Sequence, residues 1–343
     1  RRDSMKLRFF DDHGALPETV EAELNFVEMP RPAFAFDWQV IDDCTQCNGD
    51  GMVQRGERIN LLLDVKNLGP GKALDTFAQI KNAADQNIFI EKGRFKLGEI
   101  APGETKTAKF VLEVKKGYKG DTFPLKLAIV DEPLEEFATE KLKIPVTDQA
   151  VEIEARKTVV KVAENAALFD SPEKSLPIAR LPRGAVLSAE ARVGQFYRVE
   201  LEKGRFAFVQ ASDSKEIKGG KPAPVKELEY LPFREPAHIA LNVDPSLGGI
   251  VVEGDKFNLS GVVTNTKELL DMYVLVNDQK VFFKSASAAD GDALQIKFST
   301  DFPLKEGNNN VLVVAREGPE FASRKSLVIR RRPAAVAQKL AKP

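Results

Sequence analysis

Cysteine and histidine are scarce, with two of each in 343 residues. Cys44 and Cys47 share one loop, while His13 and His238 lie far from it and from each other. A zinc site therefore lacks its second pair of ligands. A Ser-His-Asp triad is no better supplied, because both histidines fall near expected module edges. No charge of one sign dominates: 50 basic side chains meet 51 acidic ones, a net charge of −1. That balance removes the global electrostatic case for nucleic acid or an anionic membrane. No apolar run approaches the roughly 18 residues that span a bilayer. No secretion signal is visible, since Arg1-Arg2-Asp3-Ser4 opens on charge with no apolar stretch behind it. A chain opening this way reads as a piece of a longer one, so a signal upstream remains compatible with it. No glycine-rich phosphate loop follows a strand and opens a helix.

What is present is strand after strand. Hydrophobic residues make up 43% of the chain, enough for ordinary cores, and the length suits two or three domains at roughly 100–200 residues each. Ile59, Leu61, Leu63 and Val65 fall on one face of an alternating stretch, the period of a strand with one side buried. Phe110–Val114, Phe123–Leu127 and Leu142–Val146 alternate likewise. Between them stand turn signals such as Leu68-Gly69-Pro70-Gly71 and Ala101-Pro102-Gly103-Glu104. Short strands with frequent turns predict a β-sandwich over 32–148. Five further strands, Lys157–Val162, Pro177–Leu181, Ala185–Ala191, Phe196–Leu201 and Phe206–Gln210, predict a small barrel over 151–218. Gly219-Gly220-Lys221-Pro222-Ala223-Pro224 opens a linker, 219–235. A second sandwich is expected over 236–332, its strands including Phe257–Val263, Met272–Val276 and Lys280–Phe283, with the Asn277-Asp278 turn between the last two. Residues 333–343 form a basic tail. Within 1–31, Lys6–Phe10 and Val20–Val27 are strand-like and are expected to complete an upstream sheet.

The residues now carry a resemblance. Asn48-Gly49-Asp50-Gly51, Gly56-Glu57, Val65-Lys66-Asn67-Leu68-Gly69 and Leu97-Gly98-Glu99-Ile100-Ala101-Pro102-Gly103-Glu104 resemble Ig-like adhesion-type repeats of bacterial surface proteins, often called CARDB-like. The middle unit resembles a bacterial SH3 domain. Leu181-Pro182-Arg183-Gly184 matches its Leu-x-x-Gly, Phe196-Tyr197-Arg198-Val199 its Trp-Tyr-x-Val strand, and Ala207-Phe208-Val209 its Gly-Trp-Val. Phe169 and Phe208 stand where that family has arginine and tryptophan. Tyr273–Val281 and Pro303–Asn309 resemble an Ig-like module. The fold class expected is all-β: two Ig-like β-sandwiches flanking a small SH3-like barrel. This order of modules resembles the region that follows the catalytic domain in carboxyl-terminal processing (tail-specific) serine proteases of the myxobacterial type. The resemblance implies a non-catalytic accessory region of a periplasmic or secreted protease, recruiting substrate or positioning the catalytic domain. Its partners would be a protein or peptide, cell-wall peptide included, in association with a protease domain. The rival reading is a free-standing adhesion or cell-wall-binding protein.

Candidate chemistry is sparse. Ser285-Ala286-Ser287-Ala288-Ala289-Asp290 resembles the serine-bearing stretch of that protease family. A serine nucleophile needs a neutral, buried lysine base, and Lys284, Lys297 and Lys305 lie on alternating or polar segments. No catalytic residue is therefore expected. In the loop Asp42 to Gly51, Gln46, Asn48 and Asp50 fall at the first, third and fifth positions of an EF-hand, Gly51 at the sixth and Glu57 at the twelfth. Asp42 or Asp43 would replace Gln46, a poor first ligand. A calcium site of Asp42, Asn48, Asp50 and Glu57 stands against a plain hairpin turn, for which Asn-Gly and Asp-Gly are standard. No other cofactor is expected. Cys44 and Cys47 are expected to clip that loop as a disulfide, with two free thiols as the plain alternative. Phe196, Tyr197 and Phe208, with Phe206, form either a peptide-binding face or a packed core.

Overall fold

The computed structural model describes residues 2–7, 20–25, 29–42, 47–164, 166–172, 177–182, 184–202, 204–218, 222, 229–230, 234–243, 250–286, 293–318 and 321–332. Every regular element among them is a strand, apart from one short turn of 3-10 helix at Ala211–Asp213. The all-β class therefore holds. The chain divides into two compact units, Arg31–Glu235 and the pairing of Arg1–Pro30 with Pro236–Pro343.

Strands β1 (Arg2–Leu7) and β2 (Val20–Asn25) pair antiparallel as a two-stranded sheet of their own.

Within Arg31–Glu235, eight strands build a sandwich. They are β3 (Phe34–Ile41), β4 (Arg58–Asn67), β5 (Ala73–Asn82), β6 (Ile88–Lys92), β7 (Arg94–Ile100), β8 (Thr105–Val114), β9 (Thr122–Asp131) and β10 (Glu136–Pro145). One sheet runs β3-β4-β8-β6 and the other β10-β9-β5-β7. The alternation in sequence becomes burial: Ile59, Leu61, Leu63 and Val65 of β4 are all 0% exposed. Phe110 and Leu112 of β8 and Phe123, Leu125 and Ile129 of β9 are equally buried. Each such side chain contributes about 1.5–3 kcal/mol relative to exposure.

The next strands are β11 (Ile153–Val162), β12 (Ala167–Phe169), β13 (Pro177–Arg180), β14 (Val186–Val193), β15 (Phe196–Glu202), β16 (Arg205–Gln210), β17 (Ser214–Ile217) and β18 (Glu229–Tyr230). They form one eight-stranded sheet in the order β17-β11-β14-β15-β16-β12-β13-β18. The five strands read from the sequence lie in it, but the expected small barrel does not close. The far side of β13 is taken by β18, through Ala179 opposite Tyr230, and β17 pairs only with β11. The expected linker 219–235 is also tied down where it is described. Besides β18, Arg234 forms an antiparallel bridge to Phe36 on the free edge of β3, with N–H···O distances of 2.8 and 3.1 Å. Its guanidinium lies 2.8 Å from the Glu140 carboxylate. Residues 219–221 and 223–228 lie outside the described residues.

In the other unit, β19 (His238–Leu241), β21 (Lys256–Thr264) and β24 (Gln295–Pro303) form a three-stranded sheet. β20 (Ile250–Val252), β26 (Ala322–Arg331), β25 (Gly307–Arg316), β22 (Asp271–Val276) and β23 (Gln279–Ser285) form a five-stranded one in that order. The β22–β23 hairpin turns through Asn277 and Asp278 at φ 48° and 66°. Two successive positive φ values are what a two-residue hairpin with the right twist needs, and Asn and Asp tolerate them. Leu259, Val263, Met272, Val274, Val313 and Ile329, all 0% exposed, fill the space between the sheets. The basic tail, 333–343, lies outside the described residues.

Candidate functional site

The loop after β3 is a knot of carboxylates and amides. Asp50 is fully buried. Its Oδ1 accepts the Met52 amide at 2.9 Å, and its Oδ2 accepts Asn48 Nδ2 at 3.1 Å, Gln54 Nε2 at 2.8 Å and the Val151 amide at 2.9 Å. Asn48 Oδ1 accepts the Asp50 amide at 3.0 Å, a side-chain turn of the kind that makes Asn common in loops. Asp42 Oδ2 accepts the Gly51 amide at 3.0 Å, and Glu57 Oε2 accepts the Gln54 amide at 2.8 Å. Burial pushes the Asp42 carboxyl above its ordinary value and the charge of Asp50 adds to this, while the Gly51 amide and Arg198 oppose it. Burial likewise raises Glu57, with the charges of Asp42 and Asp50 adding and the Gln54 amide opposing.

The structure thus gathers Asp42, Asn48, Asp50 and Glu57 in one loop. Four protein donors already occupy Asp50, and the Asn48 side-chain oxygen faces a backbone amide, while Asp42 and Glu57 each accept one amide on one carboxylate oxygen. Among the described residues no three carboxylate, thiol or imidazole groups converge as metal ligands. Asp43, Cys44 and Gln46 lie outside the described residues. Cys47 is a half-cystine.

The knot has a second face, against the eight-stranded sheet. Gly51 has φ +81°, and a Cβ built there would stand 2.2 Å from the Phe208 ring and 3.1 Å from Pro172. Only glycine permits both that backbone and that approach. Nearby, Gln39 Nε2 donates to the Phe206 carbonyl at 2.6 Å, and Arg205 pairs with Asp64 at 2.7 Å. The Asp50–Val151 bond completes the joint. Sequence reasoning missed Gln39, Asp64, Val151 and Arg205. Asp64 sits on the face of β4 that alternation marks as solvated, and nothing local says that Arg205, far along the chain, will cover it.

The same joint corrects the reading of the aromatics as an open peptide-binding face. Phe196 and Phe208 are 4% and 2% exposed and pack with Val193. Phe169 meets Phe196 edge-on at 6.0 Å between ring centres. Tyr197 is buried in the main core of the sheet, its hydroxyl donating to Glu216 Oε1 at 2.9 Å. The Phe206 ring carries the Arg198 guanidinium at 3.8 Å. The sandwich's own loop packs against the Phe208 ring at Gly51.

Ser285 ends β23 and is exposed, and Ser287 to Asp290 lie outside the described residues. Lys284 Nζ donates to the Lys297 carbonyl at 3.2 Å, and Lys297 and Lys305 are exposed. His238 is an exposed residue at the start of β19, and His13 lies outside the described residues.

No family model and no curated protein matches the sequence. Similar solved structures include the fibronectin(III)-like modules of Clostridium thermocellum CbhA, at 11% identity and TM-score 0.23, covering 87% of this chain and 96% of that one. The secreted serine protease VesC from Vibrio cholerae is similar at 12% identity and TM-score 0.21, over 81% of this chain and 47% of its own. Dimeric latent PorU from Porphyromonas gingivalis is similar at 11% identity and TM-score 0.20, over 88% of this chain and 34% of its own. Likeness this low carries no argument about function. No helix among the described residues is long and apolar enough to cross a membrane.

Proposed function

We propose that this chain is a non-catalytic binding region of a periplasmic or secreted bacterial protein, serving a carboxyl-terminal processing protease by recruiting its substrate or positioning its catalytic domain. The observation that carries the reading is the joint within Arg31–Glu235. A loop of the sandwich is plugged onto the aromatic side of the neighbouring sheet and held by Asp50–Val151, Gln39–Phe206 and Asp64–Arg205. A side chain that would suit an active site, the buried Asp50, is committed there to the Val151 amide, which ties the loop to the neighbouring piece. A region that must present a partner at a set distance benefits from such rigidity. The module order described for the sequence is what links it to a protease.

The test is incubation of the chain with an unfolded protein substrate, read by gel. No cleavage is expected. Cleavage that disappears in Ser285→Ala or Ser287→Ala would overturn the reading.

A further inference from the structure

The outer face of the sheet β10-β9-β5-β7 carries a ladder of like charge. Lys141 on β10 lies directly opposite Lys126 on β9, and Lys126 lies directly opposite Lys81 on β5. All three are exposed, on the face opposite the buried Leu125, Leu127, Ile80 and Leu142. Lys143 follows on the same face of β10. Two residues beyond the ladder, Arg94 on β7 lies opposite Gln79, and after it Lys96 lies opposite Phe77. Those last two cations are partnered, Arg94 at 3.9 Å from Glu132 and over the Phe77 ring, and Lys96 at 2.9 Å from Asp75. Among the described residues, Lys81, Lys126, Lys141 and Lys143 make no ion pair.

Like charges directly opposite in a sheet destabilise it. Lysines on an edge strand guard against unwanted strand pairing, which accounts for Lys141 and Lys143. It does not account for Lys126 and Lys81, because β9 and β5 are interior strands. Nor is the ladder the by-product of a basic chain, since basic and acidic side chains number 50 and 51. Further along the same face runs an apolar row, Phe137 opposite Val130 and Val130 opposite Phe77, with Phe137 47% exposed.

We propose that this face docks an acidic polypeptide segment carrying apolar residues, its carboxylates on Lys81, Lys126 and Lys141 and an apolar side chain against Phe137 and Val130. A phosphate or uronic acid polymer would meet the lysines but bring no alkyl group to the apolar row. The proposal names a surface and partner class for the binding region proposed above and rests on that reading for its purpose. The peptidase assay and the experiment below fail independently.

The probe is a fluorescein-labelled peptide of glutamates interspersed with leucines, titrated with the full chain and read by anisotropy at low and high salt. Dextran sulfate serves as the competing polyanion. Binding that weakens steeply with salt is expected, as is a loss of at least tenfold in Lys81→Gln/Lys126→Gln/Lys141→Gln. The thermal midpoint of that variant should equal or exceed that of the parent, which separates lost binding from lost folding. Lys126→Gln alone provides a milder check. A charge-matched control, Lys161→Gln/Lys215→Gln/Lys256→Gln, should bind as the parent does. No binding by the parent, equal loss in ladder and control variants, or dextran sulfate bound through the ladder in preference to the peptide would each overturn the proposal.

Discussion

Gly51 shows how one residue can serve two constraints. Its backbone lies in the left-handed region, and Phe208 occupies the space a side chain would need. Gly98 shares the first constraint, at φ +70°, but has nothing within 4 Å of where a Cβ would stand. Gly98→Ala is therefore expected to cost about 1–2 kcal/mol, from the backbone alone. Gly51→Ala should cost that and an overpacking penalty of about 1–3 kcal/mol more. Urea unfolding of the two variants measures the difference, and equal costs would mean that Phe208 yields freely. Asp42 and Glu57 supply a second expectation. Their raised carboxyls make the folded state bind protons that the unfolded chain has already released. Their contribution to stability therefore falls as pH rises from the ordinary carboxylate values, 3.8 and 4.5, through the raised folded ones. In Asp42→Asn that fall should flatten, since an amide oxygen still accepts the Gly51 N–H. Thermal midpoints across this pH range in chelator, parent against variant, provide the check, and parallel curves would contradict it.

At the scale of elements, the loop between β3 and β4 decides two questions. Because both oxygens of Asp50, the central carboxylate, already accept protein donors, melting midpoints in excess calcium and in chelator are expected to coincide. A rise in calcium that is lost in Asp50→Ala would instead assign the loop to the metal. The second question is coupling. Asp64 and Arg205 are 14% and 18% exposed, so their pairing is shielded more than a surface ion pair. A double-mutant cycle with Asp64→Ala and Arg205→Ala should return about 0.5–3 kcal/mol of interaction, the range for residues in direct contact. An additive result would mean that the joint is held by Asp50 and Gly51 without them.

For the whole molecule, the division into two units predicts separable stability. The unit Arg31–Glu235 has its own sandwich core and its own joint. Expressed by itself, it should melt in one cooperative transition at the temperature of one of the transitions of the full chain. Two transitions within that fragment would show that the joint does not couple the sandwich to the eight-stranded sheet.

The strands β4, β8, β9 and β10 were legible because burial of one face imposes a period of two, and a local pattern suffices to state it. The Asn277-Asp278 hairpin was legible because turn geometry selects residue type within the turn itself. Strands such as β3, β5 and β7 were harder to see, as their alternation is interrupted by Asp37, Thr76 and Gly98. The loop 42–57 was recognisable as a concentration of oxygen ligands, but its role was not. Whether Asp50 binds an ion or the Val151 amide depends on a contact made 101 residues away. The same holds for Phe196 and Phe208, whose spacing suits a binding face and a core equally until a neighbouring loop covers them. Composition and periodicity determined the all-β class, the strand runs and the scarcity of histidine and cysteine, because these follow from short-range sterics and from counting. Which faces are covered, which lysines line up across strands and which carboxylates share a pocket were decided by tertiary structure, because register and packing join residues that the chain keeps far apart.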